Sequence, residues 1–301
     1  MHHVNHFYGH AAILGAWCGL TDPQPRVRGY LQHGWNIGDG WELHARIEGH
    51  DPLLVWSEQT RRRAWSLGRR NVFVLGAPWA YLLRMAPEKP AARAGTVFYP
   101  FHGWEKQEVL GDHRRLVDTI RAVETEPVTI CLHWNEYTAP RVRDVYERAG
   151  FEVVCHGRRG WGRRDGDPDF LHRQLATLRR HRRVASNRLS TAVLYGITAG
   201  CEPAVYGDPM TLDGEDQTMG GAERVRRQWA PLHGEQVDLA TARAIAHDEL
   251  GLAHLASPAE LRALLGWPEP PGADAPPGLP ARATTADARP ATLVTTVKEA
   301  A

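Results

Sequence analysis

No stretch of the 301 residues approaches the run of about 20 apolar residues that a membrane-spanning helix needs. The N-terminus has no basic segment followed by a long apolar one, so no signal peptide is expected. Cysteine is scarce: Cys18, Cys131, Cys155 and Cys201 are scattered, and no CxxC pair occurs. That argues against a disulfide framework or a zinc ribbon and favours reduced, mostly buried thiols in a reducing compartment. Charge of one sign is also missing. A net charge of +1 gives no global field that would draw the chain to nucleic acid or membrane. The expectation is a soluble cytoplasmic protein that does not bind nucleic acid but can still make peripheral membrane contact.

Several catalytic signatures are absent too. There is no GxxxxGK[ST] phosphate loop, no GxGxxG after a first strand, no GxSxG elbow and no Cys/His dyad in a family context. No repeat of solenoid period is present.

What the chain does have is a rhythm. From Gly95 onward, short β-rich runs alternate with helical stretches of 10–13 residues. The runs at 96–101, 128–134, 151–157, 183–186 and 203–207 read as strands. Those at 112–124, 139–150, 169–181 and 190–200 read as helices, with Asp169 as an N-cap and Gly150 and Gly200 as stops. This pattern predicts βαβ units and a parallel, Rossmann-like sheet. The front of the chain gives a smaller version: strands at 29–34, 52–58 and 71–78, helices at 10–20 and 60–68, and a boundary in the Pro/Ala-rich 86–95. Three helices follow residue 208, at 221–232, 238–251 and 257–267. The last opens on Ser257, Pro258 and Glu260, a strong helix start. The Pro/Ala/Gly/Thr-rich tail cannot bury a core and is expected to be disordered. The expected domains are thus 1–90, 91–267 and a tail at 268–301.

Ligands of parallel α/β sheets sit beyond the carboxyl ends of the strands. The residues that follow the strands are therefore the candidates. Four strands end in histidine: His33, His102, His133 and His156, three of them followed directly by glycine. Glycine lets a ligand approach the backbone, and a neighbouring imidazole can accept or donate a proton near neutral pH. Asp39 and Glu42 follow the first strand, Glu105 and Lys106 a later one, and Asn135 and Glu136 come just after His133. The segment 183–208 places Ser186, Asn187, Ser190 and Thr191 around the start of a helix. They read either as ordinary caps and turn formers or as a cradle for an anion on the helix N-terminus. His6 and His10, spaced four apart, and Asp165 and Asp167 read more readily as ordinary structural residues than as metal ligands. No metal or separate cofactor is expected. The basic stretches 158–164 and 179–183 read as solvated surface, with contact to a phosphorylated substrate or an anionic membrane second.

Taken together, "LQHGW", "VWSEQTRRRAWSLGRRNVFVLGAPWAYL", "FYPFHGWEK" and "RVASNRLSTAVLYGITAGCEPAVYGD" resemble the GT-B architecture of nucleotide-sugar glycosyltransferases. The last segment is similar in layout to the donor-phosphate segment of polysaccharide-forming transferases, including the bacterial sialyltransferase-like and CDP-glycerol phosphotransferase-like groups. The resemblance spans about residues 10–267. It implies a two-domain α/β fold facing a cleft, with a small first domain and C-terminal helices. It implies that Ser186, Ser190 and Thr191 hold the donor phosphate, that His156 and Gly157 lie near the nucleotide, and that His33 faces the reacting centre. Two features depart from the pattern: the first half has only three clear strands, and the late Asp of the phosphotransferase group is absent from "LSTAVLYG".

The expected activity is metal-independent transfer of a sugar from a nucleotide-sugar to an acceptor hydroxyl, in polysaccharide or secondary-metabolite synthesis. Asp39, His33 or Glu105 would be the base, and His102 with the hydroxyl cluster would stabilise the leaving group. The alternatives are a CDP-alcohol phosphotransferase and a non-catalytic nucleotide-sugar binder.

Overall fold

The computed structural model describes residues 2–35, 51–87, 91–105, 107–215 and 221–268. Strands β1 (Tyr30–Leu31), β2 (Leu53–Val55) and β3 (Val72–Val74) form a parallel three-stranded sheet in that order. A second parallel sheet has five strands: β4 (Thr96–Phe98), β6 (Val128–Cys131), β7 (Glu152–Val154), β8 (Arg183–Ser186) and β9 (Glu202–Val205), in the order β7-β6-β4-β8-β9. Phe98 is in register with Ile130 on one side and Ala185 on the other. β5 (Val109–Leu110) and β10 (Thr211–Leu212) make a small antiparallel pair. The fold is therefore α/β with a small first sheet and a Rossmann-like second one, as anticipated. In the second sheet the chain builds outward from β4 to one edge, then returns to build the other. The crevice between β4 and β8 is the topological switch point.

The alternation of side chains along the strands explains how the layers form. Phe98, Ile130 and Ala185 point to one face and pack against Leu116, Val117 and Ile120 of α4 (His113–Val123) and Val142 and Tyr146 of α6 (Pro140–Arg148). Val97, Cys131 and Val184 point the other way, toward α7 (Phe170–Arg180) and α8 (Thr191–Thr198). That second core also takes in Leu31 and Leu54 of the first sheet. Helices α1 (His10–Trp17), α3 (Pro78–Met85), α10 (Leu239–Glu249) and α11 (Pro258–Leu265) contribute to it as well. Residues on both sides of 86–95 thus share one cluster, within a compact unit spanning residues 1–268. Each fully buried Leu there contributes roughly 1.5–3 kcal/mol. The opposite face of the first sheet packs Leu53, Val55 and Val72 on Phe7 and on Ala64 of α2 (Glu58–Ser66).

The helix starts follow from capping chemistry. Ser257 and Glu260 close a complete capping box on α11, as the sequence indicated. Asp112 accepts the Arg114 and Arg115 N–H groups at α4. Asp169 holds the N-cap position of α7 but its carboxylate makes no capping bond. Among the described residues two α-helices were not anticipated. α3 buries Pro78, Trp79, Ala80, Tyr81 and Leu82 in succession, so it has no polar stripe to reveal a helical period. α5 (Trp134–Thr138) is a five-residue turn inside the loop after β6. α9 (Ala222–Gln228) lies within the anticipated 221–232. The predicted tail beyond residue 268 lies outside the described residues.

Candidate functional site

The chain leaves β1 through Gln32, His33, Gly34 and Trp35. Gln32 fixes the exit: its Oε1 accepts the Trp56 N–H (2.9 Å) and its Nε2 donates to the Gly34 carbonyl (2.9 Å). The Trp35 N–H then donates to Thr191 Oγ1 at 3.0 Å, and a Cβ built on Gly34 would stand 3.9 Å from the same oxygen. The Trp35 indole donates to Glu249 Oε2 (2.8 Å), whose Oε1 accepts the Trp229 indole (2.9 Å). Glu249 is buried, and this burial raises its carboxyl above the usual range. The His33-Gly34 step of the first sheet is therefore set against the start of α8 in the second. Two segments that stand out in the sequence are brought together.

The hydroxyl cluster divides by role. Ser186 Oγ donates to the Arg188 carbonyl (2.7 Å) and accepts the Arg188 N–H (3.2 Å). Asn187 Oδ1 accepts the Phe101 N–H (2.7 Å), and its Nδ2 donates to the Asp208 carbonyl (2.6 Å). Both side chains are buried. Ser186 closes its own loop, and Asn187 ties the loop after β8 to those after β4 and β9, so neither side chain opens toward a ligand. Arg188 is ion-paired with Glu215, and its guanidinium lies 4.1 Å above the Phe101 ring. Ser190 is different: it occupies the N-cap of α8, half-buried, with no side-chain capping bond. Thr191 accepts from Trp35 and keeps its own hydroxyl hydrogen to donate. Among the described residues the Thr191 and Ala192 N–H groups have no backbone partner. Such an open helix start favours an anion.

A second group gathers around Arg159, in the loop after β7. Its guanidinium makes two bonds to Glu105 (3.2 and 2.6 Å) and lies 4.3 Å over the Phe7 ring. His33 packs edge-on to Phe7 (5.3 Å) and stands 3.5 Å from the Tyr30 hydroxyl. Burial, then the positive charge of Arg159 and the proximity of His3, hold the His33 imidazole down at about 4. His102 stacks on His133 at 4.3 Å between centroids, with 12° between the planes. The His102 Nδ1–H donates to the Gly103 carbonyl at 2.7 Å. Glu136 Oε1 accepts the Gly103 N–H (2.7 Å), while Glu136 Oε2 faces His133 Nδ1 at 3.7 Å, and neither that oxygen nor either His133 ring nitrogen, all buried, makes a hydrogen bond. Burial, His102 and Arg159 hold His133 well below the usual imidazole range. The field of Arg159 therefore reaches both His33 and His133, and joins loops from the two sheets.

His156 lies elsewhere. Its ring is buried, with Nε2 3.0 Å from the Tyr99 hydroxyl and 3.2 Å from Cys131 Sγ, and its carbonyl accepts from Arg173. Burial, then Arg173 and Arg180, hold it at about 4. This ring is part of the core beneath the sheet, because Tyr99 and Cys131 use its ring nitrogen. Gly157, at φ 101°, turns the chain away beside Asp167 and Arg173. Asp165 accepts the Trp161 N–H and Asp167 pairs with Arg173, so both carboxylates of that loop serve the turn. Asp39, Glu42 and Lys106 lie outside the described residues.

Two participants, Arg159 and Glu249, were not singled out from sequence. Arg159 sits in a basic loop that reads as solvated surface. Glu136 does stand out as a residue that follows a strand, in "HWNEY", but the short helix that carries it was not recognised. Glu249 lies in an Ala-rich helix where nothing distinguishes it.

No family model matches the chain, and no curated protein does. Among solved structures it is similar to a Listeria monocytogenes protein assigned as a UDP-N-acetylglucosamine 2-epimerase. The identity is 14%, the TM-score 0.38, and the match covers 69% of this chain and 54% of that one. It is also similar to Arabidopsis thaliana UGT89C1, solved with UDP-L-rhamnose. There the identity is 12%, the TM-score 0.32, and the coverage 71% and 52%. The chain spans about half the length of each.

Proposed function

We propose that this chain is a metal-independent glycosyltransferase that binds the phosphates of a nucleotide-sugar at the start of α8 and passes the sugar to an acceptor hydroxyl. The observation that carries this reading is the Trp35 N–H bond to Thr191 Oγ1. It sets a histidine-glycine step from one sheet against an open helix N-terminus at the switch point of the other. The Thr191 and Ala192 amides and the Ser190 hydroxyl would hold the donor phosphate and stabilise the charge it gains on leaving.

His33 is the base this arrangement favours. It is neutral at physiological pH, so it can accept the acceptor's hydroxyl proton as the new C–O bond forms. The old bond from sugar to phosphate breaks, and the nucleotide leaves with the electron pair. A bound diphosphate beside His33 would offset Arg159 and raise its proton affinity. Glu105, engaged by Arg159, is better suited to position that guanidinium, and Asp39 remains a second candidate base. His102, in the loop after β4, would stabilise the leaving group in this reading.

The test is product analysis with a panel of nucleotide-sugars and hydroxyl acceptors, on the wild type and on His33→Gln. Sugar transfer should appear in the wild type and fall by about 100-fold or more in turnover in the variant, with donor affinity kept. Unchanged turnover would remove His33 from the mechanism. Transfer of a phosphorylated polyol from a CDP-alcohol would replace the reading with the phosphotransferase one, and nucleotide binding with no transfer would leave a binding protein.

A further inference from the structure

The end of α2 and the turn after it carry a feature that the nucleotide site does not use. From Gln59 to Val74 the chain has five arginines (Arg61, Arg62, Arg63, Arg69 and Arg70) and no Asp or Glu, in a protein whose net charge is only +1. In the same segment Trp65 is 42% and Leu67 53% exposed, two of the few large apolar side chains that reach solvent among the described residues. Arg62 and Arg70 are exposed beside them. Arg61 lies 4.6 Å over the Trp65 ring and is held there by Glu58 (2.6 Å), while Arg70 donates to the Trp65 carbonyl (2.9 Å). The indole is thus fixed in an outward position and surrounded by cations.

We propose that this patch docks the protein on an anionic lipid bilayer. An indole in the last turn of α2 and a leucine at its C-cap match the polar–apolar boundary of a bilayer, where tryptophan is favoured. Guanidinium groups around them match lipid phosphates. Single-stranded nucleic acid is a poorer match, because one ring with a guanidinium already over it offers no series of stacking platforms. A second copy of the chain is poorer still, since a symmetric contact would place five arginines against five. α2 starts at Glu58, capped by Ser57 just after the carboxyl end of β2, and runs back toward the start of β3. The patch therefore lies at the opposite strand edge from the loops that carry the nucleotide site, and docking would leave that site facing the aqueous phase.

The experiment is vesicle co-sedimentation of the full chain. It compares phosphatidylcholine alone with phosphatidylcholine mixed with phosphatidylglycerol, at low and high salt. The variants are Trp65→Ser/Leu67→Ser and Arg62→Glu/Arg70→Glu, plus Arg62→Glu alone. Binding should be about tenfold or more stronger on the mixed vesicles, should weaken with salt, and should drop about tenfold in each double variant. All variants should keep the wild-type melting temperature, because these side chains are exposed. They should also keep whatever nucleotide response the wild type has, so the outcome is independent of the transferase reading. No binding, or equal binding to neutral vesicles, would overturn the proposal. So would retention of an oligonucleotide in place of vesicles, or a wild-type dimer that the variants abolish.

Discussion

Acidification from neutral pH to pH 4 should unfold this protein, and buried imidazoles should be the main cause. His10 is fully enclosed, with neither ring nitrogen partnered, and burial holds it at about 3, with a smaller contribution from His33. His156, also buried, is held at about 4. Both would titrate near 6.5 in the unfolded chain. Between these values the unfolded state binds more protons than the folded one, so stability is full above about 6.5 and falls as pH drops. By pH 4 each ring contributes a loss of roughly 3 kcal/mol. Two such losses are comparable with the whole stability of an ordinary domain, about 5–15 kcal/mol. His33 and His133 shift in the same direction and add to the trend. Urea unfolding followed by circular dichroism at pH 7, 6, 5 and 4 should show the midpoint falling steadily, and His156→Gln should flatten the slope. A midpoint unchanged down to pH 4 would contradict the burial described for both rings.

Gly251→Ala should be among the most damaging single substitutions in the chain. The residue sits at φ +62°, and a Cβ there would lie 1.8 Å from the Trp56 carbonyl oxygen, with the Gly76 Cα only 3.1 Å away. Backbone meets backbone at this point, where the end of α10 crosses the loops after β2 and β3 and the Ala77 N–H donates to the Leu250 carbonyl (2.8 Å). Neither partner is a flexible side chain that could swing aside. The left-handed conformation costs about 1–2 kcal/mol for alanine, and relieving the clash should bring the total to roughly 4 kcal/mol or more. Gly150→Ala is the control: it has a similar φ of +81° but nothing within 4 Å of the added atom, so only the conformational cost applies. Chemical denaturation of both variants should show the large difference. Equal losses would mean that α10 does not press on the first sheet as described. Because Glu249 precedes this turn and holds Trp35, the Gly251 variant should also loosen the loop carrying His33.

Much of the fold was legible from local pattern. The alternation of β-rich runs with amphipathic helices such as α4 has a direct physical cause: each helix must turn one apolar stripe to a sheet. α3 escaped because burial on nearly every side erases that stripe. The β5–β10 pair escaped because its partners, Val109–Leu110 and Thr211–Leu212, are two residues each and about 100 positions apart.

The candidate site was legible in its endpoints. The His-Gly step after β1 and the hydroxyls before α8 both stand out in sequence, and the chain brings them together. What sequence does not show is how polar side chains divide their work. Ser186, Asn187 and Ser190 look equivalent in a string of letters, yet two are spent on buried backbone groups and one is left open. Arg159 resembles any surface arginine until Glu105 and Phe7 are seen to hold it beside His33.

The most direct test of the central claim is thermal unfolding with CMP, CDP, UDP, GDP and dTDP, comparing the wild type with Ser190→Asp. An aspartate at this N-cap would serve the helix as well as serine does, but would repel a phosphate. A nucleotide at about 100 times its dissociation constant stabilises the folded state by roughly 2.7 kcal/mol, a shift of several degrees. At least one nucleotide should raise the wild-type melting temperature, and the aspartate variant should fold as stably but show no response. If no nucleotide shifts the wild type, or if the variant responds as strongly, the start of α8 is not a phosphate site.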